Sequence, residues 1–197
     1  MGTAFYGRSF APFGYDATLM HHADGNTATN CAVTDYNDAY SVQHCDLVGL
    51  VDLDSENDNT QTVVGSYLNH LVSLGAGGVR IDAAKHIQTD SLAGILSKGP
   101  SGLYNFQEVI YGDGEAVQPE EYVGNGEVTE FRFGTNIWDN FHEGVTGKMQ
   151  YLETFGEAWG MLPSSDAVTF TDNHDTQRSA SNVRHPHPLA SSQYSAP

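Results

Sequence analysis

Three short apolar runs that each close on carboxylates constrain this chain more than any other feature. Asp82 ends Gly78-Val79-Arg80-Ile81-Asp82, Glu108 lies late in Phe106-Gln107-Glu108-Val109-Ile110, and Asp172, Asn173, His174 and Asp175 follow Val168-Thr169-Phe170-Thr171. Runs of this length bounded by Gly and Pro read as buried strands. The pattern predicts strands over 79–82, 104–110 and 167–171, with another near 128–133.

Helical spacing fills the gaps. From Ser55 onward Val63, Val64, Tyr67, Leu68, Leu71 and Val72 recur on one face, which predicts an amphipathic helix. Ser55 with Asp58 predicts a capping box at its start, and Gly75 stands where a left-handed cap would close it. A weaker helix is expected over 90–97, ahead of Gly99, Pro100 and Gly102, and a short one over 148–155. Strands alternating with helices imply parallel βαβ units with right-handed crossovers, so the fold class is α/β. Residues 1–43, rich in Gly, Asn, Asp and Tyr, show no sustained period and read as an irregular, loop-dominated excursion. Residues 179–197 are Ser, Pro, His and Ala without hydrophobic period and read as a tail.

Charge narrows the partners. The 197 residues carry 25 Asp and Glu against 8 Lys and Arg, a formal charge of -17. Such a surface repels phosphate backbones and anionic lipid, which excludes nucleic-acid and membrane partners. No apolar stretch approaches the ~18 residues of a membrane span, and no export signal opens the chain, so any such signal is expected to have been removed. At 39% hydrophobic residues the sequence can build a packed core. It falls short of the ~250 residues usual for a complete eight-fold barrel. Cys31 and Cys45 are the only cysteines and sit in a loop-like stretch; a bridge and two separate thiols are both compatible with their spacing. The His21-His22 pair is more simply read as a solvated loop than as a metal site.

In parallel barrels the carboxyl ends of the strands line the active site. Carboxylates at three such ends suit glycoside hydrolysis, in which one acid attacks the anomeric carbon and a second, roughly 5–5.5 Å away in retaining enzymes, protonates the leaving oxygen. The order of motifs resembles the α-amylases of glycoside hydrolase family 13. Gly78-Val79-Arg80-Ile81-Asp82-Ala83-Ala84-Lys85-His86 is similar to the family's strand-four motif, Gln107-Glu108-Val109-Ile110 to its strand-five motif, and Phe170-Thr171-Asp172-Asn173-His174-Asp175 to its strand-seven motif. Cys45–Leu53 and Gly156–Gly160 add support, so the resemblance covers about residues 2–178.

The resemblance implies a partial (β/α)8 barrel. Residues 1–45 would be the remainder of a loop-rich domain B, 46–178 barrel strands four to seven, and 179–197 a tail outside the barrel. It implies Asp82 as nucleophile, Glu108 as general acid and base, and Asp175 as the residue that holds sugar hydroxyls in the transition state. Arg80, Lys85, His86 and His174 match substrate-binding positions. Asp52 and the carbonyl of His86 match ligands of a structural calcium, an ion that prefers hard oxygen donors. Arg80 and Asn173 resemble chloride ligands of one branch of the family, which makes chloride a candidate second ion. Cys31 and Cys45 match a family disulfide, which implies a secreted protein acting on starch or another α-1,4-glucan. Two rival functions share these residues: a non-catalytic carbohydrate-binding protein on the same scaffold, and a family 13 transglycosylase.

Overall fold

A computed structural model describes residues 19–21, 32–141 and 149–176. The chain divides into two compact units, 1–129 and 130–197. The tail expected over 179–197 and Cys31 lie outside the described residues, as does His22.

Among the described residues of the first unit, a short helix, α1 (Ala39–His44), lies inside the stretch that composition marks as irregular. Asp38 explains it: its side chain accepts from the Tyr40 N–H and caps the first turn. The amphipathic helix is α2 (Asp58–Ser73), and its start corrects the sequence expectation. Asn57 is the cap, its side chain accepting from Asn59 N at 2.9 Å, while Ser55 is buried with its carbonyl taken by Gln61. The other end is as expected. Gly75 adopts φ 101°, its N–H reaches the Val72 carbonyl and the Ala76 N–H reaches Leu71, the paired bonds of a Schellman stop.

Three parallel strands follow: β1 (Gly78–Ile81), β2 (Tyr104–Gln107) and β3 (Glu127–Glu130). Helix α3 (Thr89–Lys98) crosses over from β1 to β2. β1 pairs with β2 through Gly78↔Tyr104 to Ile81↔Gln107, and β2 pairs with β3 through Phe106↔Glu127 and Gln107↔Val128. β2 is shorter than the sequence suggests, because the Val109 N–H leaves the ladder for the Thr129 hydroxyl at 3.1 Å. That early ending turns Glu108 out of the strand. Among the described residues no helix is long and apolar enough to cross a membrane.

Helices α2 and α3 pack closely because Gly65 offers no side chain: a Cβ there would stand 2.7 Å from Lys98 Cβ and 2.8 Å from the Lys98 carbonyl carbon. Gly65→Ala is therefore expected to destabilise the unit by about 1–3 kcal/mol through overpacking. Urea unfolding followed by circular dichroism checks it. Tyr122 ties the segment after β1 to α1, its buried hydroxyl donating to the Ile87 carbonyl at 2.8 Å while accepting from the Gln43 amide at 3.1 Å. Burial pushes that phenol well above its ordinary pKa.

In the second unit the expectation of a strand over 128–133 fails after Glu130. Phe131–Phe141 is a helix, α4, in which Phe133, Ile137 and Phe141 follow one another at helical spacing. Phe131 meets Phe170 edge to face at 4.9 Å and Phe133 meets Phe155 at 5.0 Å. Residues Met149–Thr154 form tight 3₁₀ turns rather than an α-helix, and β4 is Ala167–Thr169.

Candidate active site

The register Ile81↔Gln107 sets Asp82 and Glu108 side by side, each one residue past the last paired position of its strand. The Glu108 N–H donates to the Ile81 carbonyl at 2.9 Å, extending the ladder by one bond. Arg80 projects between the two acids. Its Nη1 lies 2.5 Å from Asp82 Oδ1 and its Nη2 2.6 Å from Glu108 Oε1, so one guanidinium fork holds both carboxylates. Partial burial of Arg80 opposes its charge, but the hydrogen bond to Asp82 and the fields of both acids outweigh that, and its pKa rises above its ordinary value.

The two acids differ in environment. Glu108 is 6% exposed, whereas the side chain of Asp82 is 74% exposed and open to an approaching molecule. Glu108 Oε2 accepts from the Ala83 N–H at 3.0 Å. Ala83 itself stands at φ 47°, a left-handed conformation unusual for a residue with a Cβ, immediately beside Asp82 and in contact with Glu108. Neither that turn nor the bridging role of Arg80 toward Glu108 has a signal in the sequence.

Lys85 is buried, its Nζ donating to the Ile110 carbonyl at 2.7 Å and paired with Glu115, and it lies 5.4 Å from the centre of the Tyr36 ring. Glu115, which carries no signal in the sequence, is thus the charged partner of Lys85. His86 places Nδ1 2.7 Å from the Val42 carbonyl and its ring edge-on to Tyr36. Burial holds its pKa below the ordinary imidazole value, and the charge of Lys85 adds to this, against the Val42 bond and the fields of Asp52 and Glu108. The neutral form of His86 is thereby favoured, within the influence of Asp52.

Asp52 itself accepts from His21, Nδ1 to Oδ2 at 2.5 Å, and His21 Nε2 reaches Glu56 Oε2 at 2.8 Å. Burial lowers the His21 pKa, but its bonds to and attraction by Asp52 and Glu56 prevail and raise it to about 9. The stability this contributes is fully present below the unfolded value near 6.5 and is lost as pH rises through about 9. In metal-free buffer the melting temperature should therefore fall between pH 7 and pH 9.5. Thermal scans should show a smaller fall over that window in His21→Gln.

Asp175, His174 and Asn173 belong to the second unit. The Asn173 side-chain oxygen accepts from Asp175 N at 2.9 Å and Thr176 N at 2.8 Å, and the Thr176 hydroxyl accepts from Asn173 N. This tight turn leaves His174 and Asp175 exposed beyond β4, with His174 Nε2 3.5 Å from Asp175 Oδ2. Asn173 thereby organises its own loop.

Parallel strands with paired acids at adjoining carboxyl ends define a piece of a (β/α)8 barrel with a glycosidase-like rim. No protein-family model matches the chain. It is 40% identical over 181 residues to pancreatic α-amylase of Sus scrofa, covering 87% of this chain and 35% of that protein. It is 42% identical over 181 residues to α-amylase of Streptomyces violaceus, covering 90% of this chain and 30% of that one. The solved wild-type α-amylase I of Eisenia fetida superposes with a TM-score of 0.78 at 35% identity over 86% of this chain and 36% of the other. A glutamate-to-glutamine variant of the same enzyme, solved with maltohexaose, superposes equally at 34% identity. The chain belongs to the α-amylases of glycoside hydrolase family 13, as a partial chain. It spans about a third of the length of the curated relatives it matches.

Proposed function

We propose that this chain carries part of the active site of an endo-acting α-amylase that hydrolyses α-1,4-glucosidic bonds of starch and related glucans with retention. The observation that carries the reading is the Arg80 fork, which holds Asp82 and Glu108 at neighbouring strand ends. Asp82 attacks the anomeric carbon and Glu108 gives a proton to the leaving oxygen. Water then cleaves the glycosyl–enzyme ester while Glu108 takes the water's proton, restoring both acids. Asp175 and His174, exposed beyond β4, hold sugar hydroxyls. The maltohexaose bound by the Eisenia fetida variant supports a linear glucan as the ligand.

Calcium fits the donor chemistry of Asp52 and the His86 carbonyl, both hard oxygen donors; Asp52 is close enough for its field to act on the His86 ring. Bound there, the ion would tie the segment before α2 to the turn after β1. Chloride lacks comparable support, since Asp82 and Glu108 occupy both terminal nitrogens of Arg80 and the Asn173 oxygen serves its own turn. The Cys31–Cys45 bridge, and with it secretion, is supported by the pairing of Ala32 with Asp46, the residues that follow the two cysteines, and by the absence of a free thiol among the described residues. The domain reading remains 1–45 as loop-rich domain, 46–178 as barrel and 179–197 as tail.

Incubating the purified chain with maltohexaose and calcium, and following the anomers by proton NMR, tests the proposal. Release of α-anomers that disappears in Asp82→Asn is expected. Initial β-anomers would overturn retention, longer oligosaccharides would mean transfer, and a folded chain that binds maltohexaose without cleaving it would mean a binding protein.

A further inference from the structure

Away from the strand ends, a second cluster gathers nitrogen and oxygen donors. His21 Nε2 lies 2.8 Å from Glu56 Oε2 and 3.7 Å from Asp54 Oδ1, and one donor atom from each of the three residues falls within 4.8 Å of the others. We propose that His21, Asp54 and Glu56 bind a transition-metal dication, with zinc as the best match, through ligands distinct from those of the oxygen-donor calcium site.

The spacing suits such an ion. Zinc bonds His nitrogen and carboxylate oxygen at about 2.0–2.2 Å, so donors around a tetrahedral ion stand about 3.4 Å apart, close to what His21 Nε2 already shows. An imidazole donor favours zinc over calcium, which takes oxygen ligands. A second observation comes from the other ring nitrogen. Metal-binding histidines usually direct their remaining N–H to a carboxylate, which fixes the tautomer and aims the ring, and His21 Nδ1 stands 2.5 Å from Asp52 Oδ2. On binding, zinc takes the place of the Nε2 proton, which leaves to solvent, while the Nδ1–H remains on Asp52.

The backbone holds these groups in place. Met20 bridges antiparallel to Leu53, His21 N donates to the Asp52 carbonyl at 3.1 Å, and Asp54 N donates to the Leu19 carbonyl at 2.9 Å. Each carboxylate also has a local restraint: Asn57 N bonds Asp54 Oδ1 at 3.2 Å, and the Ser55 hydroxyl lies 3.4 Å from Glu56 Oε2. His44 Nε2 sits 2.9 Å from the other Glu56 oxygen and its ring is 5.3 Å from that of His21, so it steadies Glu56 from the far side. The two carboxylates remain about a third exposed, which leaves a route for the ion and room for a water ligand.

The chain, stripped with chelator, would be titrated with zinc chloride by calorimetry in the presence and absence of calcium. One zinc per chain is expected, undiminished by calcium. His21→Gln and Asp54→Asn should each weaken it at least tenfold, Asp52→Asn by about 10–100-fold, and exposed His70→Gln not at all. Cobalt(II) loaded into the unaltered chain offers a readout that needs no variant: intense visible bands of a four- or five-coordinate ion are expected. No stoichiometric zinc binding, unchanged affinity in a folded His21→Gln, or the pale spectrum of a six-water cobalt ion would overturn the proposal.

Discussion

Glu108→Gln is expected to lower starch hydrolysis by about 10²–10⁴-fold while maltohexaose still binds within a few-fold of the unaltered chain. The amide cannot give up a proton to a departing sugar oxygen, but it keeps the size of the carboxylate at a position only 6% exposed. One structural cost follows from the surroundings. Glu108 accepts from Arg80 through Oε1 and from Ala83 N through Oε2, and an amide has a single oxygen, so one donor is left facing an NH₂ group. A loss of about 1–3 kcal/mol of stability should accompany the loss of turnover. Leaving-group chemistry separates the two effects. An aryl maltooligoside whose phenol departs without protonation should still release phenol in a rapid first turnover, because only its second step, in which Glu108 takes the water's proton, is slowed. A first turnover slowed as much on the aryl substrate as on starch would mean that Glu108 supports the site rather than acting as its acid.

The carboxylates were readable because acids at the ends of apolar runs interrupt an otherwise buried pattern, and helix α2 because its apolar residues repeat at helical spacing and Gly75 marks its stop. What the sequence hides is long-range pairing. Nothing local announces that Ile81 pairs with Gln107, yet that register brings Asp82 beside Glu108. Nor does an alanine advertise a left-handed backbone, so the turn at Ala83 that aims its N–H at Glu108 was invisible. Glu115 had no spacing signal either; it reaches Lys85 only because the loop after β2 folds back. The start of helix α4 reads as strand in the sequence because Phe131-Arg132-Phe133 alternates like one. Its start is set by Glu130, whose side chain accepts from the Arg132 N–H at 2.9 Å in the first turn. A glutamate in that role is a weaker sequence signal than the Ser, Thr, Asn or Asp that usually mark a helix start. The cap of α2 was displaced for a related reason: Ser55 and Asn57 are both able to cap, and burial of Ser55 decides between them.

That same glutamate makes Arg132→Met the change with the largest expected effect on stability. Glu130 is 1% exposed and has its oxygens fully used: Oε1 by Arg132 Nε at 2.8 Å and by Arg132 N, Oε2 by Arg132 Nη2 at 2.7 Å and by Leu162 N at 2.8 Å. Removing the guanidinium leaves a buried negative charge with only two backbone donors, and breaking a buried pair in this way costs about 3–5 kcal/mol. Methionine keeps much of the length and apolar stem of arginine, so lost volume does not explain the cost. The two tryptophans, Trp138 and Trp159, both lie in the unit that contains the pair, so their fluorescence reports its unfolding in denaturant. The midpoint should move to markedly lower denaturant in Arg132→Met. Adding Glu130→Gln should recover part of the loss, since the neutral amide no longer needs a counter-charge and its oxygen can still accept from Leu162 N. A double variant no more stable than Arg132→Met alone would show that the arginine acts through its packing on α4 rather than by neutralising Glu130.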